Sequence, residues 1–350
     1  MNKDGLKFFK KQPAIRKVIY ALLLPQAGAV YYFGWRTLAV TVLACAAAVI
    51  CEYIFCRYRK EPVSEAVFVT AMIYGLILPP TVPWHVVIIG ICFAIIFSKE
   101  VFGGFGRNIF NPAVAGRCFV YICFPVALTG TWAPPAQGHY GALDQWSTFS
   151  SPDAITSATP MAFIKAGSII PVSTKTPDTI NYIPYNIQAD ENVNVPKLSI
   201  IKALLIGRIS GTAGVTSAIL CLIGGSYLFY KKIANRTTII AVIATYVVWN
   251  LILTAAGLNN FYGAAIPLLG GGFLFGAFYM ATDPVSSPRT NIGRMIYGFI
   301  IGTGTMVIRN FSIFNGGLMF SILLGNMFAP IADHFVKQYK QKPASRGETT

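Results

Sequence analysis

The chain of 350 residues is 54% hydrophobic and only 12% charged, with a formal net charge of +15. A soluble domain carries about 25% charged residues, so with a mean hydropathy of +0.57 the composition excludes an ordinary soluble fold and indicates a polytopic membrane protein. The positive charge does not indicate nucleic-acid binding. Lys and Arg gather in short clusters at the ends of apolar segments, which is the positive-inside pattern rather than a basic face.

The N-terminal stretch holds Lys3, Lys7, Lys10, Lys11, Arg16 and Lys17, and the apolar run after it lacks a small-residue cleavage site. A retained first helix with a cytoplasmic N-terminus is expected. About ten membrane segments are predicted from runs of membrane-length hydrophobicity. They fall at 17–33, 37–55, 66–79, 83–98, 113–128, 212–230, 237–256, 262–281, 294–309 and 316–333. Several are shorter than the roughly 20 residues of a straight span, so they extend into their neighbours or are broken and re-entrant. Basic clusters follow the even-numbered spans: Arg57, Arg59 and Lys60; Lys99 and Arg107; Lys231, Lys232 and Arg236; Arg289 and Arg294; Lys337, Lys340 and Lys342. Both termini are therefore expected in the cytoplasm. Lys197, Lys202 and Arg208 run against this orientation.

Four parts result: a first membrane repeat over 1–128, an extracytoplasmic polar insertion over 129–197, a second membrane repeat over 198–336, and a cytoplasmic tail over 337–350. The insertion carries Asp144, Asp153, Asp178, Asp190 and Glu191, five of the 13 acidic residues. Long polar loops between membrane spans are often functional. The seven cysteines lie in or beside apolar segments without a CxxC, and the three histidines make no spaced pair, so neither an iron–sulfur cluster nor a bis-histidine haem is indicated.

The first chemically suggestive stretch is Phe102-Gly103-Gly104-Phe105-Gly106-Arg107-Asn108-Ile109-Phe110-Asn111-Pro112. Gly103 and Gly104 permit close backbone approach. Asn111 and Pro112 start a helix as cap and first residue, and a helix N-terminus beside a glycine turn presents free amides. Within a membrane such backbone packs against protein or lines a cavity. It reads either as a wall for a flavin or quinone ring or as a packing kink. The next is Asp153-Ala154-Ile155-Thr156-Ser157-Ala158-Thr159-Pro160, a hydroxyl-rich turn in the polar insertion; taken alone it reads either as a covalent attachment point, since a hydroxyl held out on a turn can serve as one, or as an ordinary Ser/Thr-rich turn. The last is Thr282-Asp283-Pro284-Val285-Ser286-Ser287-Pro288, with Asp283 as the expected cap or as a functional ionisable group. Phe102-Gly103-Gly104-Phe105 and Phe275-Gly276-Ala277-Phe278 lie 173 residues apart, each followed by Asn-Pro or Asp-Pro and then Gly-Arg. Five spans per copy would make the repeats inverted, and inverted repeats place sites near the midplane at broken helices.

In order, Phe33-Gly34-Trp35, the 102–112 stretch, the threonine motif, Ala281-Thr-Asp-Pro-Val-Ser-Ser-Pro288 and Leu324-Gly-Asn-Met-Phe-Ala-Pro330 resemble the NqrB/RnfD family over nearly the whole chain. The length is more similar to the RnfD type. The resemblance implies an all-α membrane subunit of an ion-translocating (Na+ or H+) electron-transport complex of the bacterial inner membrane, with a fold similar to urea and ammonium channels. It implies FMN esterified to Thr159 by a flavin transferase, with Thr156 and Ser157 placed to hydrogen-bond the phosphate, Ala158 within the motif, and Asp153 capping the turn or assisting the transfer. Non-covalent riboflavin, a second flavin-bearing subunit and surrounding lipid are further implied partners, and the electrons would pass between ferredoxin and NAD(H). An NqrB-type subunit of a sodium-pumping NADH:quinone oxidoreductase is the alternative. A channel or secondary transporter without flavin, or a structural scaffold for redox partners, are readings of other classes. Two departures stand out. Ser157 replaces the glycine usual in the flavin-linked motif, and Gly214-Val215-Thr216-Ser217 lacks the carboxylate of the usual Gly-Glu-Thr-Ser.

Overall fold

The computed structural model describes residues 8–130, 132–136, 138–149, 197–258, 264–312 and 316–341. The Asp153–Thr159 motif lies outside them. The described chain is mostly helical. Its helices are α1 (Pro13–Phe33), α2 (Arg36–Arg59), α3 (Ala66–Ile77), α4 (Trp84–Ile95), α5 (Pro112–Cys123), α6 (Pro125–Thr129), α7 (Lys197–Ile206), α8 (Ala218–Tyr230), α9 (Arg236–Ala255), α10 (Ala265–Leu269), α11 (Phe273–Phe275), α12 (Asn291–Phe311) and α13 (Leu318–Gln341). π-Helical turns at Ile96–Glu100, after α4, and Gly276–Met280, after α11, complete those segments. Strands β1 (Phe9–Lys10) and β2 (Val63–Ser64) pair in parallel with Phe9 opposite Val63. Among the described residues three stretches, Arg36–Arg59, Arg236–Ala255 and Leu318–Tyr339, are long and apolar enough to cross a membrane by length and composition.

The short fifth run breaks as expected, dividing into α5 and α6 at Phe124-Pro125, and the eighth, although long enough for a straight span, divides into α10, α11 and a π turn around Gly270, Gly271 and Gly272. Proline and positive-φ glycine interrupt the i→i−4 ladder at these places; Gly271 and Gly272 have φ of 58° and 70°. α3 stops before Pro79-Pro80 because neither proline supplies an amide to continue it. Its freed carbonyls find donors in the other half of the chain. Gly214 N–H donates to Leu76 O at 2.8 Å and Ala213 N–H to Leu78 O at 3.0 Å. In an apolar surrounding an unpaired carbonyl is costly, so these bonds join the two halves at the break. Ser217 then caps α8, its hydroxyl accepting from Leu220 N at 3.4 Å.

The α1–α2 corner turns at Gly34, with φ of 91°. A Cβ there would lie 2.7 Å from Trp146 O. The stretch holding Gln145 and Trp146 packs on this corner, with Trp35 N donating to Gln145 O (3.3 Å) and Arg36 N to Trp146 O (2.8 Å). At the opposite end of α1, the Gln12 amide and the Arg16 guanidinium both donate to Glu65, at 2.7 Å and 2.5 Å. These bonds hold the Glu65 carboxyl below the usual carboxylate range, the Arg16 side-chain bond being the largest cause.

Candidate functional site

Asn111 takes the capping position its sequence context requires. Its Oδ1 accepts from Ala113 N (3.1 Å) and Val114 N (3.4 Å), and Pro112 opens α5. The same side chain also reaches the second half: Nδ2 donates to Met280 O at 3.1 Å. The Asn111 amide donates to Asn326 Oδ1 at 3.2 Å, and Asn326 Nδ2 donates onward to Ser286 O and Tyr297 Oη. Two asparagines thus lace α5, the 276–286 segment and α13 together.

Asp283 departs from the helix-cap expectation. Its Oδ1 accepts from Val285 N (3.2 Å) and its Oδ2 from Ser286 Oγ (2.7 Å), closing a turn. The helix begins later, at Asn291, with Thr290 as its cap. Pro288 is the physical reason, since a helix started at Pro284 would place a residue without an amide in its second turn.

Asn111 and Asp283 line one cavity of about 290 Å³. Its walls come from the start of α1, α3, the first π turn and the stretch after it, the start of α5, the end of α8 and the residues after it, and the second π turn with the stretch that follows. Most of the lining is apolar, including Ile15, Val18, Ile73 and Ile233. Phe105, Asn108, Tyr279 and Thr282 add ring faces and hydrogen-bonding groups. A largely apolar cleft with a few convergent polar groups suits a planar heteroaromatic ligand. The glycine turn reaches this cavity through Phe105 and Asn108. Gly103 and Gly104 (φ 101° and 90°) sit instead over charged side chains, where a Cβ on Gly104 would lie 2.8 Å from Arg59 Nη2.

The buried charges are what a reading of the sequence misses. Lys99 looks like one of the flanking positive charges. It is 2% exposed, and its Nζ lies 2.5 Å from Oε2 of Glu52, itself 1% exposed and within α2. The π turn explains this: its wider coil directs Ser98, Lys99 and Glu100 inward together. Glu100 pairs with Arg59, which lies 3.4 Å from the exposed Glu61. Arg309 on α12 is fully buried. Its Nη1 donates to Pro267 O (2.7 Å) and Tyr246 Oη (3.0 Å), and its Nη2 to Gly271 O (2.9 Å) and Gly270 O (3.4 Å). It caps the end of the broken helix α10. The signal in the sequence is an ionisable residue inside an apolar run, as Glu52 and Arg309 both are.

The model of the NQR2, RnfD, RnfE family matches residues 10–342. The chain belongs to that family. It is 35% identical over 292 residues to an NqrB-type subunit of the Na(+)-translocating NADH-quinone reductase from Ectopseudomonas mendocina (strain ymp), covering 82% of this chain and 63% of that protein. The corresponding NqrB-type protein from Azotobacter vinelandii is 34% identical with the same coverage. An RnfD-type subunit of the ion-translocating oxidoreductase complex from Alcanivorax borkumensis is 31% identical over 343 residues, covering 95% of this chain and 94% of that protein. The chain therefore spans less than two thirds of these NqrB-type relatives and nearly all of the RnfD-type relative. The matched region contains both the 102–112 and the 276–290 stretches, and in this chain those stretches meet at the cavity.

Proposed function

We propose that this chain is the flavin-bearing membrane subunit of an ion-translocating electron-transport complex. The observation that carries the reading is the cavity where Phe105, Asn111, Tyr279 and Asp283 converge from both halves of a chain of this family. FMN is attached through Thr159, which lies outside the described residues, and the cavity takes a second, non-covalent flavin, riboflavin. A flavin supplies one- and two-electron chemistry at an accessible potential. The chain's residues do the rest. Ile15, Val18 and Ile73 exclude water from the ring, Phe105 and Tyr279 offer faces for stacking, and Asn108 and Thr282 offer hydrogen bonds to a polar ring edge. Asp283 is already held by Val285 N and Ser286 Oγ, so it shapes the wall with its charge partly satisfied.

We favour an Rnf-type complex, exchanging electrons between ferredoxin and NAD(H), over the quinone-reductase type because the similarity to the RnfD-type protein extends over 95% of this chain, against 82% for the NqrB-type protein. The chain then sits in the bacterial inner membrane with both termini cytoplasmic and Thr159 outside, in contact with lipid, a second flavin-bearing subunit and a flavin transferase during maturation. The two halves of the membrane domain form inverted five-span repeats in this reading. The π turns at Ile96–Glu100 and Gly276–Met280, each leading through a loop to a capped helix, support it.

The test is in-gel flavin fluorescence of the denatured chain, co-expressed with its flavin transferase, comparing wild type with Thr159→Ala. Fluorescence that survives denaturation in wild type and vanishes in the variant is expected. A dark wild-type band, with transferase active on a control substrate, would overturn the covalent assignment and favour a flavin-free transporter.

A further inference from the structure

The cavity has two lysines at its wall whose role the proposed function leaves open, the exposed Lys232 and the buried Lys99. Lys99 lines the cavity, while Glu52, its partner at 2.5 Å, does not. The pair is neutral as a unit, but its positive end is the one that faces the ligand space. Glu52 is fixed from behind, because its Oε1 accepts from Ser64 N at 3.0 Å. The π turn that buries Lys99 also sets the neighbouring Glu100 against Arg59, which takes its Oε2; its Oε1 has no hydrogen-bond partner among the described residues and makes no hydrogen bond to Lys99. Among the described residues, Glu52 is the one hydrogen-bond acceptor of the Lys99 ammonium. An ammonium has three donors, so N–H groups remain for a ligand.

We propose that Lys99, held by Glu52, is the group that stabilises negative charge on the reduced ligand of this cavity, and so raises its midpoint potential. This rests on the reading of the cavity as a flavin site. A fixed dipole in a water-poor site acts strongly on charge that develops beside it, and needs no rearrangement when that charge appears. The step balances simply. One electron arrives from a reduced flavin of the complex, the ligand's charge falls by one, and Lys99 keeps its proton and donates a hydrogen bond. Glu52 stays a carboxylate, and no covalent bond forms or breaks at either residue. Lys99 is not a mere flank of the span: its ammonium lies 6.0 Å from the ring centroid of Phe105, another residue of the cavity wall.

The experiment uses the full-length chain carrying Thr159→Ala, so that only non-covalent flavin is observed, with riboflavin as the added probe. Riboflavin binding and the midpoint potential are measured for this background, Lys99→Met, Lys99→Arg and the double variant Glu52→Gln/Lys99→Met. The double variant removes both charges and leaves no unpaired buried carboxylate, so it keeps the fold. Oxidised riboflavin is expected to bind it nearly as well as the background. The reduced form should bind about tenfold less tightly relative to the oxidised, which is a shift of about 59 mV to lower potential for a one-electron couple. Lys99→Arg should keep most of the potential. If the double variant regains the background potential that Lys99→Met lost, Lys99 serves only to neutralise Glu52 and the proposal is overturned. An unchanged potential in both variants with riboflavin still bound overturns it as well, while leaving the flavin cavity intact. If the background chain binds no riboflavin at all, the cavity reading falls and takes this inference with it.

Discussion

Replacing Asn111 separates two jobs done by one side chain. Its Oδ1 caps α5 through the Ala113 and Val114 amides, and its Nδ2 bridges to Met280 O in the other half of the chain. Asn111→Ala loses both. Loss of an N-cap costs about 1 kcal/mol, and stranding a buried carbonyl costs about 1–3 kcal/mol, so the total is about 2–4 kcal/mol by the same two terms. Asn111→Ser keeps a capping hydroxyl but is too short to reach Met280, so it loses only the bridge, about 1–3 kcal/mol. The assay is equilibrium unfolding of the purified chain in detergent, followed by near-UV circular dichroism. The expected order of stability is wild type, then Asn111→Ser, then Asn111→Ala. Equal stability of the two variants would refute the capping contribution. An Asn111→Ala protein within about 0.5 kcal/mol of wild type, the usual range for a neutral surface change, would refute the whole account of how the halves are joined.

Arg309→Met leaves the Pro267, Gly270 and Gly271 carbonyls without their donors and should destabilise by about 2–4 kcal/mol, with faster proteolysis near α10; Arg309→Lys should fall between, because an ammonium lacks the planar fork that spans several carbonyls. The Glu65 carboxyl has a lowered pKa in the folded chain, so its contribution is complete above the unfolded value of about 4.3 and is lost as pH falls through the lower folded value. Melting temperature measured from neutral to acid pH should therefore drop less steeply below that point in Glu65→Gln than in wild type; parallel curves would exclude the Arg16–Glu65 bond as a source of acid sensitivity.

Much of this is legible in the sequence. Some apolar runs locate their helices to within a few residues, as with α2 at Arg36–Arg59 against 37–55 and α9 at Arg236–Ala255 against 237–256, whereas α13 runs to Gln341 against 333, α8 starts at Ala218 against 212, and α7 at Lys197–Ile206 falls in no expected span. The breaks follow Phe124-Pro125 and the glycines at 270–272 rather than the length of the runs, because proline and glycine act on the backbone locally. Asn111-Pro112 announces a capped helix for the same local reason, and the motifs announce the family. Asp283 does not take the cap position, because Pro288 forbids the helix that Asp283-Pro284 alone would start.

Only the tertiary structure decided what is decided by distance between remote residues. Asn111 and Asp283, singled out separately, share a cavity because α5 docks against the end of a segment nearly half a chain away. Leu76 and Leu78 find the Gly214 and Ala213 amides for their carbonyls, which no local rule could assign. Lys99 reads as a solvated flanking charge in one dimension and is a buried ion-pair partner in three, because a π turn rotates it inward to meet Glu52. Local backbone chemistry is written along the chain, whereas the pairing of buried polar groups depends on which helices meet.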